Sequence, residues 1–219
     1  MGKQYVLWGL ATVLLAGAGW MQIQTPRPES NVVNLLDEPR HPVTPAMAAS
    51  SEAMASSAAS GMTLRDARGR RTDLATFWES SPAVVVFTKE GCPCSLESQA
   101  FFNSLATSYQ GRARFVAVMD AEPTVASKYA DDLRLPYPAL SAKDDAVFRA
   151  FDAERSVYVT LIDKGGQVAK QWPGYSRSML RELDQRLAVL CGGKSSGLDF
   201  EGAPEKATSG CLLFRPVGE

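Results

Sequence analysis

One short stretch of the chain limits its fold more than any other. Residues 82–87 are apolar and rich in β-branched side chains, as is typical of a strand buried on both faces. A turn carrying Cys92 follows, and from Pro93 onward apolar residues recur at helical spacing. Proline suits the first helical turn because its missing N–H would have no partner there. The sequence therefore predicts a buried strand, a turn with Cys92 and Cys94, and a helix.

Strand and helix signals continue on both sides of this unit. A hairpin is predicted over residues 62–75, and strands and helices alternate from there to residue 190. The last two strands, 157–162 and 167–172, are joined by a glycine-bearing turn, which indicates a second hairpin. This order predicts an α/β domain with a central mixed sheet flanked by helices.

The position of Cys92 at a helix start favours thiol chemistry. A helix N-terminus carries partial positive charge and unpaired N–H groups, both of which stabilise a thiolate, and Lys89 is expected to add to this potential. Because the thiolate is the nucleophile in disulfide exchange, we expect Cys92 to attack and Cys94 to resolve the mixed disulfide. The chain has one histidine, His41, which excludes most zinc sites and any core Cys–His or Ser–His pair.

Over residues 62–190 the sequence resembles the thioredoxin-like superfamily. It is similar to the membrane-anchored TlpA-like disulfide reductases of bacteria and to the related AhpC/TSA redoxins. The resemblance rests on the strand 84–87, Glu97 in the Cys-bearing helix start, the segment 160–168, and Gly174-Tyr175 before the last helix. It implies a thioredoxin-like fold with an N-terminal hairpin and a thiol–disulfide oxidoreductase. Such an enzyme needs no cofactor and no metal, and its partners are a protein thiol or disulfide substrate and an unknown redox partner.

Two positions depart from the pattern of the reductases. Those proteins have Cys-x-x-Cys, whereas this chain has Cys92-Pro93-Cys94, and the shorter ring is expected to be strained and more oxidising. That favours donation or isomerisation of disulfides. The family's cis-proline aligns with Val157, where a cis bond would cost about 2.5–4 kcal/mol, so a trans bond is expected.

Three alternatives remain open at this point. A thiol peroxidase of the peroxiredoxin type would need a hydroxyl and an arginine beside Cys92; Thr88 is the nearest hydroxyl, and Arg149 or Arg155 would have to supply the guanidinium. Two thiolates separated by one residue also suit Cu(I). The third alternative is a redox-inactive thioredoxin-fold binding module.

The second pair of cysteines, Cys191 and Cys211, flanks a Gly/Ser-rich segment after the last predicted helix. Four cysteines allow three pairings, and proximity in sequence pairs these two. Such a bond would staple the tail, residues 191–219, to the domain and stabilise it by roughly 3 kcal/mol. The alternative is that one of them resolves a disulfide on Cys92.

The N-terminal region predicts the compartment. Residues 5–23 are uncharged and mostly apolar, which predicts a signal anchor or signal peptide over residues 1–23, with a cleavage site after Ala18 in the second case. Residues 24–61, which include His41, are expected to be a flexible Pro/Ala/Ser-rich tether. The domain is thus expected on the periplasmic side of the cytoplasmic membrane, or secreted. The net charge of −1 argues against a nucleic-acid partner.

Overall fold

A seven-stranded sheet forms the centre of the computed structural model, which describes residues 41–214. The strands lie in the order β2-β1-β5-β4-β3-β6-β7, with β3, β4 and β5 parallel and the other neighbours antiparallel. The predicted mixed sheet and both predicted hairpins, β1–β2 and β6–β7, are confirmed. The strands are β1 (Thr63–Arg65), β2 (Arg71–Asp73), β3 (Ala83–Lys89), β4 (Arg114–Asp120), β5 (Ala139–Ser141), β6 (Val159–Ile162) and β7 (Val168–Trp172).

Two hydrophobic clusters lie on opposite faces of this sheet. Successive side chains of a strand point to opposite faces, so Val84 and Val86 join one cluster while Val85 and Phe87 join the other. Both faces of β3 are therefore buried, as its sequence predicts. The helices are α1 (Pro45–Ala53), α2 (Pro93–Ser108), α3 (Pro123–Asp132), α4 (Ala146–Ala150) and α5 (Arg177–Leu190), with a short 3₁₀ helix at Leu74–Phe77.

The turn from β3 into α2 sets the position of the two cysteines. Gly91 has a φ of 69°, a conformation that glycine adopts at little cost, and it reverses the chain after the strand. Cys92 is the N-cap of α2 and Pro93 occupies the first helical turn. The predicted strand, turn and helix are confirmed.

The predicted flexible tether over residues 24–61 is wrong in its second half. Residues 45–53 form helix α1, whose N-cap Thr44 accepts a hydrogen bond from the Met47 N–H. Met47 is only 4% exposed, in the cluster that also contains Phe87. Alanine favours helix, and the buried methionine supplies the apolar contact that composition alone does not reveal. The segment 56–59 then pairs with the edge at Val168. Residues 1–40, with the predicted signal segment, lie outside the described part.

The tail after α5 is packed against the domain, but not by the predicted Cys191–Cys211 bond, which is wrong. All four cysteines are free thiols; the Cys191 thiol donates to the Arg112 carbonyl at 3.5 Å, whereas Cys211 lies beside Cys92. Phe200 is buried in one cluster and Phe214 in the other, so the tail passes from one face of the sheet to the other. This path separates two cysteines that are near in sequence. Between residues 41 and 214, no helix has the length and apolar character needed to cross a bilayer.

Candidate active site

Cys92 and Cys94 lie together at the start of α2, each about 1% exposed. A hydrogen bond from the Cys94 thiol, followed by contributions from the Ser156 hydroxyl and the Cys211 N–H, lowers the pKa of Cys92 to about 3 despite the opposing effect of burial. These hydrogen bonds at the sulfur favour the thiolate form of Cys92 at neutral pH.

Cys94 has the opposite electrostatic environment. Its hydrogen bond to Cys92, its burial and the negative charge of Cys92 all raise the pKa of Cys94 above the ordinary thiol value. One sulfur is thus an anion and the other a protonated donor, an arrangement in which the two titrations are coupled. The structure brings the two predicted site residues together at the start of α2.

Ser156 is a site residue that the sequence analysis missed. Its hydroxyl lies 3.2 Å from the Cys92 sulfur and the residue is fully buried. It directly precedes Val157, whose φ of 66° is rare for a β-branched residue and whose N–H donates to the Phe87 carbonyl at 2.6 Å. The described residues contain no cis peptide bond, which confirms the trans bond expected at Val157. The sequence offered one indication of this role: Ser156 directly precedes Val157, the residue that aligns with the family's cis-proline.

The positive charge of Lys89, which was predicted to act on Cys92, is paired with a carboxylate in the structure. Its ammonium group pairs with Asp120 at 2.6 Å, and this neutralising partner weakens any effect on Cys92. Thr88, the hydroxyl suggested by the peroxidase alternative, lies with its oxygen 3.5 Å from the Val118 carbonyl. Ser156, not Thr88, supplies the hydroxyl at the sulfur.

The two candidate arginines have other partners in the structure. Arg149 pairs with Asp145 at 2.7 Å and lies over the Phe214 ring. Arg155 pairs with Glu154 at 3.4 Å, and its guanidinium donates to a tail carbonyl, that of Gly210, at 3.3 Å. Arg155 therefore helps to hold the tail.

A buried polar group supports α2 behind the cysteines. The Tyr129 hydroxyl lies 3.1 Å from both the Ser95 carbonyl and the Gln99 side-chain oxygen, and Gln99 also contacts the Tyr137 hydroxyl. Burial, and then the negative charge of Cys92, raise the pKa of Tyr129 above its usual range. These contacts hold the first turns of α2, and with them the cysteine sulfurs, in place.

Within residues 41–214, no three or more His, Cys, Asp or Glu side chains are grouped so as to hold a metal ion. A surface depression of about 390 Å³ is lined by Asn103, Arg134 and Leu198 among others, and it does not include the cysteines.

Comparison with known proteins identifies a family and a fold. The AhpC/TSA family profile matches residues 55–178. Among solved structures, an uncharacterized conserved protein from Geobacillus kaustophilus is 19% identical with a TM-score of 0.61, covering 75% of this chain and 94% of its own. Peroxidoxin BcpB from Mycobacterium tuberculosis is 22% identical with a TM-score of 0.55, and the match covers 64% of this chain and 98% of that protein.

A third solved structure belongs to the disulfide-exchange group. It is a secreted Mycobacterium tuberculosis disulfide oxidoreductase homologous to E. coli DsbE, 18% identical with a TM-score of 0.52, covering 59% of this chain and 96% of its own. No curated protein matches the sequence. These structural similarities confirm the predicted thioredoxin-like fold.

Proposed function

The chain belongs to the AhpC/TSA family, and we propose that it is a thiol–disulfide oxidoreductase acting on protein thiols through Cys92 and Cys94. The observation that carries this proposal is the position of Cys92 and Cys94 together at the start of α2, with the Ser156 hydroxyl 3.2 Å and the Cys211 N–H 3.3 Å from the Cys92 sulfur. A thiolate with an adjacent protonated thiol is the pair that disulfide exchange requires.

The pair can exchange electrons with a substrate in two steps. In the oxidised protein, a substrate thiolate attacks the Cys92 sulfur of the Cys92–Cys94 disulfide; Cys94 leaves as a thiolate and takes up a proton. The second substrate thiol, after losing its proton, attacks the substrate sulfur of the mixed disulfide and releases Cys92 as a thiolate. The substrate dithiol is oxidised to a disulfide, and the protein pair is reduced.

The low pKa of Cys92 favours this direction. A thiol of low pKa is a good leaving group, and stabilising it as a thiolate stabilises the reduced protein, which makes the disulfide more oxidising. The short Cys92-Pro93-Cys94 ring acts in the same direction through strain. We therefore assign disulfide donation as the main reaction, with an unknown redox partner that reoxidises the pair.

Oxidation of a reduced peptide with two cysteines tests this function. The oxidised full-length protein is expected to convert the dithiol peptide to its disulfide, and Cys92→Ser is expected to abolish turnover. Cys191→Ser is the matched control, because Cys191 lies at Arg112 rather than at the site. Turnover that survives in the Cys92→Ser variant would contradict the proposal.

Peroxide reduction is the second candidate, and the Ser156 hydroxyl on the Cys92 thiolate supports it. The thiolate would attack a peroxide oxygen to give sulfenic acid and an alcohol or water, and the Cys94 thiol would then form the disulfide and release water. A small peroxide also reaches a nearly closed site more readily than a protein does. Peroxide consumption that depends on Ser156 and exceeds the rate of peptide oxidation would favour this activity over the first.

We also propose that the domain works outside the cytoplasm, attached to the membrane by residues 1–23 or secreted. The support is the uncharged, apolar stretch 5–23 in the sequence, and an oxidising compartment would keep the cysteine pair oxidised. Labelling of whole cells with a membrane-impermeant thiol reagent, after mild reduction, should modify the protein. Labelling only after lysis would contradict this location.

A further inference from the structure

The tail over residues 207–214 is an irregular segment that forms backbone hydrogen bonds on both sides. Thr208 exchanges two backbone hydrogen bonds with Tyr175, at 2.8 and 2.9 Å, and Ser209 donates to the His41 carbonyl at 2.9 Å. Gly174 allows this approach, because a Cβ there would lie 2.4 Å from the Thr208 carbonyl oxygen. The tail is thus held between the N-terminal segment at His41 and the loop before α5.

Its next residues pair with the loop that carries Ser156. The Gly210 N–H donates to the Ser156 carbonyl at 2.8 Å, the Ser156 N–H donates to the Cys211 carbonyl at 2.9 Å, and the Leu213 N–H donates to the Glu154 carbonyl at 2.8 Å. The backbone pairing includes an isolated antiparallel bridge between Arg155 and Leu212. These hydrogen bonds place Cys211 in a defined register beside the active site.

This register brings Cys211 to the nucleophile. Its N–H donates to the Cys92 sulfur at 3.3 Å. A Cβ on Gly210 would lie 3.0 Å from the same sulfur and 2.0 Å from the Ser156 hydroxyl oxygen, so only glycine permits the approach. Burial, and then interaction with Cys92, raise the pKa of Cys211. Cys211 is half-exposed whereas Cys92 and Cys94 are buried.

We propose that Cys211 is a third exchange thiol, which forms a disulfide with Cys92 and connects the buried pair with protein partners. This proposal rests on the proposed exchange function and names the route by which partners reach that site. It also replaces the structural staple that sequence proximity predicted for Cys211.

The internal transfer needs no external oxidant. In the protein with a Cys92–Cys94 disulfide, the Cys211 thiol loses its proton and its sulfur attacks the Cys92 sulfur. The Cys92–Cys94 bond breaks, Cys94 leaves as a thiolate and takes up the proton, and the Cys92–Cys211 bond forms. The number of disulfides and of thiols is unchanged.

The second step passes the disulfide to a partner. A partner thiolate attacks the half-exposed Cys211 sulfur, and Cys92 leaves as the thiolate that its surroundings stabilise. A second partner thiol then releases Cys211, so the partner dithiol becomes a disulfide and the protein is reduced. Attack at Cys211 avoids the need to displace the tail from the buried Cys92 sulfur.

Disulfide mapping of the full-length protein tests the pairing. The wild type, Cys94→Ser and Cys191→Ser variants are oxidised with glutathione disulfide, digested without reduction, and sequenced by fragmentation mass spectrometry. We expect a Cys92–Cys211 bond as the main product in Cys94→Ser, and both Cys92–Cys94 and Cys92–Cys211 bonds in the wild type and in Cys191→Ser.

Two results would overturn the inference, and they are distinguishable. If the wild type forms Cys92–Cys94 while Cys211 stays free or pairs with Cys191, Cys211 is not an exchange thiol and the proposed function stands. If Cys92 forms no disulfide with either cysteine, the proposed function fails as well.

A rate measurement separates a relay from a chance contact. The oxidised protein is mixed with a reduced thioredoxin, which is protein-sized, and with dithiothreitol, which is small. In Cys211→Ser the thioredoxin must wait for local opening of the tail, so its rate is expected to fall on the order of tenfold, with a much smaller change for dithiothreitol. Equal rates in Cys211→Ser and Cys191→Ser with thioredoxin would refute the relay.

Discussion

Replacing Cys94 by alanine is expected to raise the pKa of Cys92. The Cys94 thiol is the largest contributor to the lowered value of about 3. A hydrogen bond to a charged group contributes about 1.5–3 kcal/mol, and one pKa unit corresponds to about 1.36 kcal/mol. The loss of this donor therefore predicts a rise of about one to two units. The Ser156 hydroxyl and the Cys211 N–H remain, so the pKa stays below the ordinary thiol value.

Ultraviolet absorbance of the thiolate against pH, measured on the reduced full-length protein, checks this value. The other three cysteines have raised pKa values, so the transition below neutral pH belongs to Cys92. Cys191→Ser is the control and should leave the transition unchanged. A midpoint that does not move in Cys94→Ala would refute the role of Cys94 as the main donor, and a wild-type midpoint near the ordinary thiol value would refute the lowered pKa itself.

Three further predictions concern the tail at Gly210, helix α1 and the Cys92 thiolate. Gly210→Ala should displace the tail and speed alkylation of Cys92 in the reduced protein, whereas Gly165→Ala, which meets only the Asp163 side chain, should not; equal rates would contradict the tail contact. Met47→Ala should lower the free energy of unfolding by roughly 2 kcal/mol or more in denaturant titration, since Met47 is buried; a loss near zero would contradict the docking of α1. The free energy of unfolding of the reduced protein, compared with that of Cys92→Ala, should fall as the pH is lowered from the ordinary thiol pKa toward about 3. In this pH range only the folded state holds Cys92 as a thiolate. A difference between the two proteins that does not change with pH would contradict this linkage.

The strand, turn and helix around the cysteines could be predicted from sequence because their signals are local. The apolar run in β3, the proline in the first turn of α2 and the helical spacing after it each report on neighbouring residues. The position of Cys92 at the start of α2 followed from the same local argument. These features depend on contacts between residues that lie close together in the sequence.

The missed features depend on contacts between distant parts of the chain. Helix α1 is stabilised by the burial of Met47 in a cluster formed mostly by residues far along the sequence, and an Ala/Ser-rich composition gives no sign of it. Cys211 was assigned to Cys191 because the two are near in sequence, whereas backbone pairing with residues 154–156 carries Cys211 to Cys92. Ser156 reaches the sulfur through the same loop.

A redox titration of the full-length protein, followed by alkylation of free thiols and mass spectrometry, tests the central claim most directly. The account predicts that Cys92 is converted reversibly between thiol and disulfide at an oxidising potential, above about −200 mV. It also predicts that Cys191 remains alkylated across the whole range. If Cys92 stays a free thiol at every potential, the exchange mechanism is contradicted.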